Sequence, residues 1–215
     1  MVALLFDAEG VVIDTMRSVW IPGDKEFLRR RNLCCSEALM AQLTGQSISD
    51  GTRVMQSYFG FGGDVDELVQ ERLVIARELF SKDVRFIEGF ETFFARVRHF
   101  PCAIATSLKP EFLHLVDQHL NLSALFDGHL YSIYQVGARS KPNPDIFLHA
   151  ARELAVPPSE CIVFEDAPHG VEAARRAGMR CVALTTSFRR ELLKGATIIV
   201  ERFEEIDKDF FKNTL

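Results

Sequence analysis

Val2-Ala3-Leu4-Leu5-Phe6-Asp7-Ala8-Glu9-Gly10 decides how this chain is read. An unbroken apolar run meets a carboxylate, one spacer, a second carboxylate and a glycine. The run is too short for an amphipathic helix and predicts a strand buried on both faces. Parallel α/β sheets bind their ligands beyond the carboxyl ends of their strands, which is where Asp7 falls. Gly10 lets the chain leave the strand sharply. Asp and Gly are also ordinary turn residues, so on its own the stretch is equally served by an acidic turn.

Working outward, Val11-Val12-Ile13-Asp14-Thr15 reads as a short extended piece. Residues 15–85 carry helical periodicity with no strand pattern: Phe27-Leu28, Leu39-Met40-Leu43, Val54-Met55-Tyr58, then Leu68, Leu73-Val74, Ala76 and Leu79-Phe80. Beyond them strands and helices alternate. Cys102–Ala105, Leu130–Ile133, Cys161–Phe164, Cys181–Leu184 and Thr197–Val200 are predicted strands. Phe93-Phe94, the stretch after Pro110, Ile146-Phe147 and Val171-Ala174 mark helices, the last ending at Gly178. Alternation of this kind predicts an α/β protein with a Rossmann-like parallel sheet. About seventy helical residues between the first strand and the rest predict an inserted all-helical domain. The expected division is 1–14 with 86–215 as the α/β core, and 15–85 as the insertion.

The 215 residues allow one large domain or two unequal ones, and 47% hydrophobic content supplies a full core. A net charge of −5 gives no reason to expect nucleic-acid binding. The Arg29-Arg30-Arg31, Arg175-Arg176 and Arg189-Arg190 clusters lie among acidic residues and read as solvated helix faces. Five cysteines without a CxxC pair or a zinc spacing read as reduced thiols of a cytoplasmic protein. A redox role for the vicinal pair Cys34-Cys35 is the alternative. No export signal or membrane-length apolar run is visible, so no membrane partner is expected.

Four polar clusters follow predicted strands or lie just beyond them: Asp7 with Glu9, Thr106-Ser107, Ser140-Lys141-Pro142, and Glu165-Asp166. In a parallel sheet such ends share one edge. Clustered carboxylates repel unless a cation sits among them, and oxygen ligands of this kind suit Mg²⁺. A hydroxyl and an ammonium suit the oxygens of a phosphoryl group. An Asp can form an aspartyl phosphate, and a carboxylate two residues on can act as acid and then base. Singly, Thr106-Ser107 also reads as a helix cap, Lys141 as a surface lysine and Glu165-Asp166 as an N-cap region.

At this point the chain resembles the haloacid dehalogenase superfamily, in the branch containing β-phosphoglucomutase and many small-molecule phosphatases. Residues 6–15 resemble its first motif, 104–107 its second, 140–147 its third and 163–174 its fourth. Residues 15–85 sit where that branch carries a helical cap, which closes over the cleft. The resemblance implies an Mg²⁺-dependent phosphatase acting on a small phosphorylated metabolite such as a sugar phosphate. Asp7 would be nucleophile and metal ligand, Glu9 the acid–base group with its backbone carbonyl on the metal, and Thr106 and Lys141 the phosphoryl-binding pair. Glu165 and Asp166 would complete the metal site. Ser107 and Lys109 would touch the phosphate. Asp24, Gln46, Ser47 and Arg53, in or near the loops of the insertion, are candidate contacts to the rest of the substrate, with Asp24 and Ser47 as helix caps and Arg53 as a surface charge the alternative. A monomer or weak homodimer is expected.

One departure concerns Glu9, where the family's first motif has Asp; the extra methylene bears on leaving-group protonation. The Glu165-Asp166 pair argues against a dehalogenase, because members that break carbon–halogen bonds lack it. Lys25 and Lys82, the insertion's lysines, offer no context for the Schiff base of phosphonate cleavage. Two alternatives stay open: a phosphomutase of the same architecture, and a weakly active or non-catalytic binding protein marked by Glu9. A receiver-type signalling domain fits less well, since its acidic pair precedes the phosphorylated Asp.

Overall fold

The structure, a computed structural model, describes residues 2–43, 46–207 and 210. In chain order β1 (Ala3–Phe6) comes first. A helical stretch follows: a π-helical turn (Met16–Trp20), α1 (Ile21–Arg29), α2 (Glu37–Leu43), α3 (Ile48–Phe59) and α4 (Val65–Phe80). Then come α5 (Phe90–Val97), β2 (Cys102–Thr106), α6 (Pro110–Leu120), α7 (Leu122–Leu125), β3 (Leu130–Ser132), α8 (Asp145–Glu153), β4 (Cys161–Glu165), α9 (Pro168–Arg176), β5 (Arg180–Leu184) and β6 (Ile198–Val200). The chain forms two compact units, one of Met1–Asp14 with Arg85–Leu215 and one of Thr15–Val84. Arg85, placed by sequence at the end of the insertion, groups with the first unit; its carbonyl accepts the Asp14 N–H at 2.8 Å.

The first unit is a parallel sheet in the order β3-β2-β1-β4-β5-β6. β1 lies between β2 and β4, with Leu5 level with Ala103 on one side and Val163 on the other. Strand order reverses here, which makes the carboxyl end of β1 the switch point where such sheets take ligands. The two faces differ in side-chain size. Ala3, Leu5, Ala103, Ala105, Val163 and Ala183 form a mostly small-residue face, packed with Ala150, Ala151, Ala173 and Ala174 of α8 and α9. On the opposite face Phe6 stacks on Phe164 at 4.6 Å and meets Phe90, Phe94 and Phe126 edge-on.

Val11–Thr15 departs from the extended expectation. Gly10 N–H donates to Ile13 O at 2.8 Å, and Val12 and Ile13 N–H both donate to Ala8 O at 2.9 Å. The segment is a tight turn with isolated bridges from Glu9 to Ile13 and from Ile13 to Phe86. Its valines look strand-like because the turn packs them inward, fully buried.

The helical unit has its own core of Phe27, Leu28, Leu39, Leu43, Met55, Leu68 and Ile75. Ser47 caps α3 by accepting Asp50 N–H, and Asp64 caps α4 by accepting Asp66 and Glu67 N–H. Within that unit Arg72 is buried. It donates to Asp24 at 2.6 Å, to Ile48 O at 2.7 Å and to Thr52 Oγ1 at 2.8 Å, joining α4 to α1 and α3. Asp24 is therefore a buried ion-pair partner, which corrects its reading as a substrate contact.

Candidate active site

Asp7 is the first residue past β1, its N–H held by Phe164 O at 2.9 Å. Its carboxylate accepts a hydrogen bond from Lys141 Nζ. That ammonium also donates to Glu165 Oε1 at 2.6 Å and lies 4.8 Å from the Phe147 ring centre. Lys141 lies in the loop before α8 and is followed by a cis peptide bond to Pro142. Its side chain is 1% exposed, as is that of Glu165. The surface-lysine alternative is thus excluded, because a buried ammonium persists only where carboxylates pair with it.

Burial is the largest influence on both partners. It pushes the Asp7 carboxyl up to about 7, helped by the negative charges of Glu165 and Glu9 and opposed by Lys141. Burial works to lower Lys141, but Asp7 and Glu165 outweigh it and hold the lysine as a cation. Asp166 is also raised well above the usual carboxylate range, by burial first, then by Glu165 and Asp7.

Both Glu165 oxygens accept hydrogen bonds from the protein. Oε1 takes Lys141, while Oε2 accepts the N–H groups of Asp166 and Ala167 at 2.9 and 3.0 Å. In this arrangement Glu165 holds Lys141 and fixes the turn after β4, and its place beside Asp166 in the metal site stands as the expectation from sequence. Among the described residues no three His, Cys, Asp or Glu side chains are grouped to hold a metal. Asp7 and Asp166 still fit Mg²⁺, which commonly takes one or two carboxylates and keeps several waters. The Asp7 charge helps to raise the Asp166 pKa, a repulsion that a divalent cation between them would relieve.

Two glycines make the arrangement possible. Gly10 has φ +72°, and a Cβ there would overlap the Asp166 carboxylate. A Cβ at Gly170 would overlap the Glu165 carboxylate. Both positions need hydrogen in place of a side chain so that a carboxylate can rest against the backbone.

Thr106 ends β2 beside β1 and is buried; its Oγ1 accepts Leu108 N–H at 3.1 Å, leaving its own O–H proton to donate. Ser107 is half-buried, and Lys109 is exposed at the start of α6. Glu9 is half-buried in the turn after Asp7. Gln46, Ser47 and Arg53 belong to the helical unit. Ser47 Oγ donates to Asp50 at 2.6 Å while capping α3, and Arg53 donates to Ser49 Oγ at 2.7 Å from an exposed position. Thr44 and Gly45 of the same expected loop lie outside the described residues.

Three residues of this edge were not singled out from sequence. Ser132, at the end of β3, donates to Leu108 O at 2.6 Å and so ties down the loop that carries Ser107. Thr186 donates to Gly10 O at 2.5 Å, and the Ser187 hydroxyl lies beside the Asp166 carboxylate against Gly10. All three follow or end strands at the carboxyl edge, the same signal that identified Thr106.

The chain matches the model of the haloacid dehalogenase-like hydrolases over residues 1–178 and belongs to that family. It is 28% identical over 207 residues to a validoxylamine A 7'-phosphate phosphatase of Streptomyces hygroscopicus subsp. limoneus, covering 94% of each chain. It is 29% identical to a fructose-1-phosphate phosphatase of Escherichia coli, over 83% of this chain and 94% of that one. Among solved structures, a putative β-phosphoglucomutase from Thermotoga maritima superposes with a TM-score of 0.83 at 25% identity, covering 100% of both chains.

Proposed function

We propose that this hydrolase is an Mg²⁺-dependent phosphatase that cleaves a small phosphorylated metabolite, a sugar phosphate, through an aspartyl phosphate on Asp7. The observation that carries the reading is the buried Lys141 ammonium between Asp7 and Glu165 at the sheet's switch point. The names of the curated relatives support the substrate class.

In this reading an Asp7 oxygen attacks phosphorus and the ester P–O bond breaks. Glu9 gives its proton to the leaving alkoxide. Water then attacks the phosphoryl group while Glu9 takes the water's proton, and Asp7 departs as a carboxylate with inorganic phosphate released. Lys141 and the Thr106 hydroxyl bind phosphoryl oxygens, and Glu165 keeps Lys141 aimed. Asp7 and Asp166, with the residue 9 carbonyl, would hold Mg²⁺. When bound, that ion neutralises charge on the transferring group. Ser107 and Lys109 are assigned to the phosphate, and Gln46, Ser47 and Arg53 to the remainder of the substrate.

The test is phosphate release from a panel of sugar phosphates and nucleotides, with Mg²⁺ and with chelator. Release that requires Mg²⁺ and disappears in Asp7→Asn is the expected result; near-normal turnover by Asp7→Asn would sink the mechanism. The likeness to a putative β-phosphoglucomutase favours a phosphomutase as the second reading. Isomerised sugar phosphate with little free phosphate is its signature. Activity in Glu9→Asp from a silent native protein would favour a binding role.

A further inference from the structure

The loop after β5 lies against the Asp7–Gly10 turn, yet no role in the site described above falls to it. It makes two contacts from adjacent residues. Thr186 Oγ1 donates to the Gly10 carbonyl at 2.5 Å, bridging 176 residues of sequence. The Ser187 Oγ lies 2.8 Å from where a Gly10 Cβ would be, a point that Asp166 Oδ2 overlaps, so the hydroxyl stands beside that carboxylate. The Asp166 carboxylate is thus gripped between the Gly10 backbone on one side and the Ser187 hydroxyl on the other. Thr186 holds the same glycine from its carbonyl side.

The other groups around Asp166 do not do this job. Lys141 bonds Asp7 and Glu165. The N–H groups of residues 166 and 167 are spent on Glu165. Asp166 is buried, with a carboxylate that Glu165 and Asp7 both repel, so the hydroxyl beside it is the group placed to set its rotamer. The loop itself is anchored to the sheet, since Thr185 N–H donates to Val200 O at 3.0 Å. The hydroxyls are therefore carried on a fixed support.

We propose that Thr186 and Ser187 are positioning residues: Ser187 orients the Asp166 carboxylate toward a divalent cation shared with Asp7, and Thr186 sets the Gly10 turn that carries Asp7 and Glu9. The proposal rests on the phosphatase reading for its catalytic consequence, but not for its cation. Partners that orient metal-binding side chains typically contribute 10–100-fold in metal affinity or activity.

The experiment is calorimetric titration of Mg²⁺ alone into native protein, Ser187→Ala, Ser187→Thr and Thr186→Val, with thermal unfolding to confirm folding. Mg²⁺ affinity is expected to fall about 10–100-fold in Ser187→Ala and to recover in Ser187→Thr, which keeps the hydroxyl. In Thr186→Val, which keeps shape and loses the donor, kcat is expected to fall with substrate KM little changed. Native Mg²⁺ affinity in folded Ser187→Ala overturns the proposal, as does a native protein that takes up no Mg²⁺. A native protein that binds Mg²⁺ and loses it in Ser187→Ala, yet releases no phosphate from any substrate, overturns the phosphatase reading and leaves this one standing.

Discussion

At the scale of single residues, the site depends as much on missing side chains as on present ones. Gly10 shows this most directly. Its φ of +72° costs a non-glycine residue about 1–2 kcal/mol by itself. Its Cβ would also need the space of the Asp166 carboxylate and would crowd the Ser187 hydroxyl beside it. Gly10→Ala is therefore expected to lower both thermal stability and kcat. Displacement of a reacting group by about 1 Å can cost about a hundredfold in rate, so a loss of that order is expected in steady-state kinetics. A variant with native kcat and native melting temperature would show that the turn can open without harm. The sequence marks Gly10 as a turn residue, but the carboxylate that requires it stands at position 166 and is invisible to local reading. The same holds for Glu165, whose partner Lys141 is 24 residues away, and for Lys141, 134 residues from Asp7. Residue type and strand-end position identify candidates; which oxygen is already occupied is set by tertiary contact alone.

At the scale of elements, legibility follows burial. β1, β2, β4 and β5 are buried nearly throughout, so each appears in sequence as a short unbroken apolar run. β3 and β6 at the sheet edges are three residues long and only partly buried, and their ends are less sharply marked. The π-helical turn Met16–Trp20 has no sequence signal, because it differs from an α-helix in bonding register rather than composition. The aromatic face of the sheet is a property of elements acting together. Phe164 of β4 stacks on Phe6 of β1 and meets Phe93 of α5 at 5.4 Å. Phe164→Ala removes that bridge while leaving the Glu165 backbone in place, and is expected to destabilise the protein by about 3–5 kcal/mol. Chemical denaturation would read this as a lower midpoint at unchanged slope. A loss below about 1 kcal/mol would mean that the neighbouring rings close the cavity.

At the scale of the whole molecule, the chain enters and leaves its helical unit through one narrow junction. Asp14 N–H donates to Arg85 O at 2.8 Å, Ile87 N–H donates to Val12 O at 2.9 Å, and Ile13 bridges antiparallel to Phe86. The two ends of the insertion are thus neighbours in space, the geometry in which an inserted unit can be exchanged for a short loop. The sheet and both of its packed faces are made by residues 2–14 and 85–207, and the helical unit has a separate core. Replacing Thr15–Val84 with a short Gly-Ser loop is therefore expected to leave a cooperatively folding α/β unit. The cysteines supply an internal reporter. Exposed Cys34 and half-buried Cys35 leave with the insertion, while buried Cys102, Cys161 and Cys181 stay. Burial pushes Cys102 up to about 12, with Asp127 adding, and Cys161 up to about 11, with Glu160 adding. Thiols so buried and protonated react slowly at neutral pH. Titration with a disulfide reagent should find no fast thiol in the native shortened protein and three after denaturation. The full chain should show fast reaction at Cys34. Rapid labelling of all three core thiols in the shortened protein would mean that the α/β unit needs the insertion in order to fold.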